Sequence, residues 1–418
     1  MSKILITAYA VNPYKGSEDG MGWNMICQIA RKHQVIAITR ENNEPEIRRY
    51  LQENEVPEAS NIEWAFFDWP YWMRFWKRKE RGALLYFYLW QLTMPRFIKS
   101  RGFEFDVCHN LNFHNDWTPS FLWQLAKPMI WGPIGHHPLI PDDYLKVYSD
   151  KARWKNRITY WLKQAFWQFD PFLYTCRQKA FRIIAMNSTI AQRWPDLADK
   201  IRVIPSVGTE AAPDFFVDQS EQNKEFTIIS VGRFVALKGF DITIRAFSRF
   251  YHQLPQKDQN SVRLKLIGKG PEEALMRAMI EEEQIGESVD IIHWMDRSEL
   301  LRLYQQAHLF LFPSHEGAGM VVAEAMAAGL PVLCFDNCGP GEFVDAHCAY
   351  RVPYSQPEES CRQFASHMLD LYYDDHRRAQ MKRAALNRFR QQFDWDVKGE
   401  QLSAVYEELL ATKSLSTL

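Results

Sequence analysis

The stretch FTIISVGRFVALKGFDITIRAFSRF, Phe226–Phe250, holds one complete structural unit. It opens on an apolar, β-branched run of strand length. Gly232 and Gly239 then bracket a loop that carries Arg233 and Lys238, and the apolar positions of DITIRAFSRF recur at helical spacing. The same order of strand, glycine-bearing loop and helix continues downstream. VRLKLIGKG leads to EEALMRAMIEEE, VDIIHW to LLRLYQQA, and LFLFPS to an Ala-rich segment that ends at PVLCF. Upstream, KILITAYAV is followed by Gly16, Gly20 and Gly22, then by NMICQIARKH and QVIAITR. Such alternation builds βαβ units on a parallel sheet. The sequence therefore predicts an α/β protein of two doubly wound, Rossmann-like domains, with ligand at the strand carboxyl ends in a common cleft. The polar segment 207–226, which carries Pro213, reads as the linker between a domain at 1–205 and one at 206–393.

Bulk properties limit the partners. With 418 residues, 46% of them hydrophobic, the chain can bury two cores of ordinary size. Fifty Lys and Arg against 51 Asp and Glu leave no global field for nucleic acid. The seven cysteines are odd in number and show no CxxC spacing, which predicts reduced thiols in a cytoplasmic protein. MSKILITAYAV carries no cationic leader and reads as a first strand, not a signal peptide. The longest apolar run, Ala83–Trp90, is too short for a bilayer, which takes about 20 residues.

Chemistry concentrates in HEGAGMVVAEAMAAGLPVLCF, His315–Phe335. Glu316 precedes a glycine-rich bend and Glu324 follows it by about a turn; Gly329 and Pro331 close the helix between. Backbone N–H groups at Gly317, Gly319, Met320 and Val321 suit a phosphate, since glycine lets the chain approach closely and a helix start attracts anions. A carboxylate accepts a vicinal diol through two hydrogen bonds, so Glu324 is placed for ribose hydroxyls and Glu316 for those of a hexose. Arg233 and Lys238 are expected to stabilise a diphosphate leaving group without a metal.

In order, VGRFVALKGFD, LIGKGPEEALM, LFLFPSHEGAGMVVAEAMAAGLPVLCFD and the late FDWD resemble the C-terminal domain of family 4 glycosyltransferases, the retaining GT-B class. GSEDGMGWN, CHNLNFHNDWTPSFLW and WGPIG resemble a bacterial branch of that family concerned with envelope and exopolysaccharide. The resemblance implies a final helix crossing back, so that about 394–418 joins the N-terminal domain. It also implies catalytic roles for Glu316, Arg233, Lys238 and His109, the last taken as the end of the strand FDVCH, near the reacting sugar. Gly20 and Gly22 are read as the first strand-to-helix loop, bordering the donor. DWD at Asp394–Asp396 satisfies a metal-binding expression but matches a packing motif of the family, so no metal and no cofactor is expected. His136 and His137, in WGPIGHH, and Trp117, in DWTP, depart from the branch and are assigned to the acceptor side.

Two segments, 69–101 and 151–182, interleave Lys and Arg with Trp, Tyr and Phe. They predict contact with an anionic membrane surface and no nucleic-acid role, hence a peripheral position on the inner face of the cytoplasmic membrane. The expected reaction is transfer of a sugar from a nucleoside-diphosphate donor, a UDP-sugar by default, to a hydroxyl of a glycan or lipid-linked saccharide, with retained configuration. Two alternatives stand beside it: a nucleotide-sugar 2-epimerase, which would need an acid–base set in the site, and a non-catalytic subunit docked at the membrane.

Overall fold

A computed structural model describes residues 2–77, 81–111, 114–210, 225–293 and 295–416. The chain divides into two compact units. The first comprises Met1–His136, Trp161–Ser206 and Trp395–Leu418, and the second His137–Tyr160 and Val207–Asp394.

In the first unit the described residues form seven strands: β1 (Lys3–Ala8), β2 (Gln34–Thr39), β3 (Ile62–Phe66), β4 (Val107–Leu111), β5 (Met129–Ile134), β6 (Arg182–Ala185) and β7 (Ile201–Val203). They pair in parallel in the order β3-β2-β1-β4-β5-β6-β7, so the winding reverses between β1 and β4. β1, β2 and β4 are buried almost throughout, which explains why they read as continuous apolar runs. Ile4, Ile6, Val35 and Val107 pack with Ile26 and Ile29 of the helix Ser17–Ala30 and with Leu402, Val405 and Tyr406 of the helix Trp395–Ser416. That C-terminal helix is thus part of the first core, as the resemblance implies.

The second unit holds β8 (Phe226–Val231), β9 (Val262–Ile267), β10 (Val289–Ile292), β11 (Leu309–Phe312), β12 (Val332–Phe335) and β13 (Ala349–Val352), paired in parallel in the order β10-β9-β8-β11-β12-β13. Its reversal point lies between β8 and β11. The second unit also takes in 137–160, which the sequence reading had placed with the first. Ile140, Tyr144, Leu145 and Tyr148 enter the core around Phe247, Leu264 and Phe335, and Tyr144 and Tyr148 hydrogen-bond Ser360 and Asp241. Most of the expected linker, 211–224, lies outside the described residues. All seven cysteines are free thiols. No helix is long and apolar enough to cross a membrane among the described residues.

Candidate active site

Two loops leave the carboxyl ends of the strands that flank the second sheet's reversal point, the position where open α/β sheets bind ligands. The loop after β8 runs Gly232-Arg233-Phe234 and makes a short 3-10 turn at Ala236–Lys238. It ends at Gly239, where φ is +65° and a Cβ would meet the Pro313 carbonyl oxygen at 1.9 Å. Gly268 is held as tightly against this loop: a Cβ there would lie 1.8 Å from the Gly232 carbonyl oxygen. Both glycines let backbone pack on backbone, and this fixes where Arg233 and Lys238 emerge.

The loop after β11 carries Ser314, His315 and Glu316. His315 N–H donates to the Leu237 carbonyl at 2.9 Å, and Ser314 Oγ–H to the same carbonyl at 3.1 Å, so the two loops are stitched together. The His315 ring is fully buried against Phe335 and Tyr354, and burial pushes its pKa down to about 3. It is a neutral structural group. Asn337 braces the loop from β12's end: its Nδ2 donates to the Ser314 carbonyl at 2.7 Å while its Oδ1 accepts Gly339 and Gly341 N–H groups at 3.1 and 3.2 Å.

This frame brings Lys238 and Glu316 together. Lys238 Nζ donates to Glu316 Oε1 and Oε2 at 2.7 and 2.6 Å, with the carboxylate almost wholly buried. Arg233 is exposed at the same strand end and forms no ion pair among the described residues. One cation therefore holds the buried carboxylate while the other stands open to an anion. Gly317 N–H donates to His137 Nδ1 at 3.2 Å. Gly319 forms the N-cap of the helix Met320–Ala327, with no side-chain cap on its free N–H groups; Met320 and Val321 lie partly open at its start.

Glu324 is the fifth residue of that helix, in its second turn, where the terminal dipole has largely faded. It is buried beside Arg297, whose Nη1 lies 3.4 Å from Oε1. Burial raises its pKa, and Arg297 opposes the shift. Sequence reasoning missed Arg297 and Asn337, and assigned His137 to the acceptor side with no contact to Gly317 foreseen. The Asn-x-Gly that follows PVLCF was the available signal for Asn337.

The first unit corrects several expectations. Gly20 and Gly22 are not in a loop; both are buried inside the helix Ser17–Ala30, where Gly20 is required because a Cβ would lie 2.2 Å from the Lys15 carbonyl oxygen. β4 does not end at His109 but runs on to Leu111. His109 is fully buried, with Nε2–H donating to the Gly132 carbonyl at 2.8 Å and Nδ1 accepting the Tyr406 hydroxyl at 2.5 Å. Burial lowers its pKa to about 4, so it is a neutral ring tying β4 to the C-terminal helix. The histidine beyond the strand end is His114, which contacts Ser206 Oγ, the Met21 sulfur at 3.1 Å and Glu18 at 3.5 Å. Trp117 packs in the interior, edge-on to Phe166. His136 is also withdrawn from solvent. Its Nδ1 lies 3.0 Å from Asp116 Oδ2, which also pairs with Arg193. Asp396 of the DWD stretch accepts from Arg31 at 2.6 Å and Gln28 at 3.3 Å, a packing role that joins the first and last helices.

Residues 212–388, which include the whole second sheet, match the model of the family described as Glycosyl transferases group 1. The UDP-N-acetylglucosamine–peptide N-acetylglucosaminyltransferase GtfA subunit of Streptococcus pneumoniae is 29% identical over 168 residues, 39% of this chain and 32% of that protein. A putative colanic acid biosynthesis glycosyltransferase, WcaL of Escherichia coli, is 28% identical over 191 residues, 44% of this chain and 45% of that one. The chain thus matches a third to under a half of these relatives' lengths. Among solved structures, Anabaena Alr3699/HepE in complex with UDP and glucose superposes with a TM-score of 0.63 at 16% identity, over 98% of this chain and 100% of that one; the likeness is of fold. Residues 212–388, the part that bears the Lys238–Glu316 pair, thus resemble the group 1 glycosyl transferases.

Proposed function

We propose that the chain is a metal-independent, retaining glycosyltransferase that moves a sugar from a nucleoside-diphosphate donor, a UDP-sugar first, to a hydroxyl of a glycan or lipid-linked saccharide. The observation that carries this reading is the pairing of Lys238 with buried Glu316 beside the open guanidinium of Arg233, all at the second sheet's reversal point. As the bond to the anomeric carbon breaks, negative charge grows on the diphosphate. Arg233 and Lys238 stabilise that charge from fixed positions, and the N–H groups from Gly319 to Val321 receive the phosphate oxygens. Glu316 accepts hydroxyls of the transferred sugar and Glu324 those of the ribose. The leaving diphosphate oxygen takes the acceptor's proton on the same face of the sugar, so configuration is retained and no protein nucleophile is used. Relatives that bind UDP or serve polysaccharide assembly support the choice of donor and of an envelope or exopolysaccharide acceptor, met at the inner face of the cytoplasmic membrane.

The test is release of UDP from a panel of UDP-sugars, with chelator present, in the presence of lipid-linked saccharide acceptors, and assignment of the product anomer by NMR. Acceptor-dependent release with the donor's anomeric configuration kept supports the reading. An inverted anomer, or activity abolished by chelator, contradicts it.

A further inference from the structure

The helix Asp150–Phe169 is built inside out. Trp154, Ile158, Trp161, Leu162, Ala165 and Phe169 recur at helical intervals and fall in one stripe about 100° wide. That stripe faces water: Trp154 is 63% exposed, Trp161 73% and Phe169 78%. Lys163, half a turn round the helix from Trp154, is buried on the side of Asp116 and Arg193. A helix that belonged only to a protein core would show the reverse arrangement.

Its charges follow the same logic. Five basic residues against one acidic make the helix strongly cationic, with Lys151 exposed at the N-terminal end of the apolar stripe and Lys155 exposed along its edge. Below it, Tyr88 of the helix Ala83–Arg101 holds the C-terminal half, its ring against Phe166 and its hydroxyl donating to Asp170 at 3.0 Å. The apolar face is therefore anchored from behind and left open in front. Trp72 and Phe75, near Arg74 and Lys77 in sequence, are also exposed.

We infer that the helix Asp150–Phe169 is an interfacial membrane element that lies in the headgroup layer of an anionic bilayer, its Trp154–Phe169 stripe in the acyl boundary and its lysines on lipid phosphates. Aliphatic Ile158 and Leu162 within the stripe fit acyl chains and offer no stacking surface to nucleic acid. A second copy is the weaker occupant, because it would set one cationic helix against another. The inference rests on the acceptor's being lipid-linked, and it names the element that brings the enzyme to it.

The test is co-sedimentation of the full chain with vesicles of phosphatidylcholine and phosphatidylglycerol in equal parts, and with phosphatidylcholine alone. Wild type is expected to bind the anionic vesicles. W154S/I158S/W161S, three exposed substitutions, should lower partitioning by about 100-fold or more, and K151E/K155E by about tenfold. In the same samples calorimetric binding of UDP, read without vesicles, should be unchanged. Loss of UDP binding in wild type would defeat the proposed function, whereas vesicle binding is judged separately. Two results overturn the inference: partitioning unchanged by the triple substitution, or a dimer in solution that the triple substitution converts to monomer.

Discussion

At the scale of single residues, the account turns on a buried charge pair. Lys238 and Glu316 are both largely withdrawn from water, so removing one partner leaves the other uncompensated. Lys238→Met is expected to cost about 3 kcal/mol in denaturant unfolding, and Lys238→Met with Glu316→Gln to recover much of that loss. A single variant as stable as wild type would show that the pair is not buried as described. His109 gives the opposite kind of prediction. Its ring is a structural tie, so His109→Ala should lower stability by about 3 kcal/mol through a cavity and two lost hydrogen bonds. The folded fraction should keep its affinity for UDP, and a folded variant that binds UDP tenfold or more weaker would return His109 to the site. The sequence misled here because a polar pair, His109-Asn110, marked an end to an apolar run. In the structure that pair is buried, with Asn110 Nδ2 donating to Thr7 Oγ1 at 3.1 Å inside the sheet.

At the scale of elements, the second sheet was legible because its central strands β8, β11 and β12 are buried on both faces and the helix Phe240–Gln253 has a clear apolar period. The placing of Glu316 and Lys238 was legible for the same reason: they stand just past strand ends whose positions the pattern fixes. What stayed hidden were contacts between elements distant in sequence, such as Arg297 beside Glu324 and Tyr148 on Asp241. Gly20 was misread as a loop residue because its reason, close approach of the Lys15 carbonyl, is invisible in one dimension. The Tyr148–Asp241 contact has a measurable consequence. Tyr148 Oη–H donates to Asp241 Oδ1 at 2.7 Å, yet burial still raises the Asp241 pKa from 3.8 to about 6. A folded-state pKa above the unfolded one means stability that is complete below the lower value and lost as pH rises through the higher. Asp241 should therefore make the second unit less stable at pH 7 than at pH 4, by up to roughly 3 kcal/mol. Asp241→Asn should flatten that part of the curve in denaturant titrations across this range, and an unchanged slope would remove Asp241 as its source.

At the scale of the whole molecule, each unit is completed by chain from elsewhere in the sequence. The second unit borrows 137–160, whose Ile140, Tyr144, Leu145 and Tyr148 fill its core; the first borrows the helix Trp395–Ser416. A fragment of 207–394 alone should fail to fold cooperatively, and a peptide of 137–160 added in trans should restore a sharp thermal transition. A fragment that melts cooperatively without the peptide would contradict that division. Two Rossmann-like units were legible from the repeating pattern. Their boundaries were not, because a segment's allegiance depends on which core accepts its side chains. The central claim is that a nucleoside diphosphate is held at the second sheet's reversal point by fixed cations. Calorimetric titration of UDP into wild type and Arg233→Ala, with chelator present, tests it most directly. Arg233 forms no ion pair among the described residues, so the account predicts micromolar binding by wild type and a loss of about 10- to 100-fold in the variant, with stability unchanged. Equal affinity in the two proteins, or binding that requires a divalent metal, would contradict it.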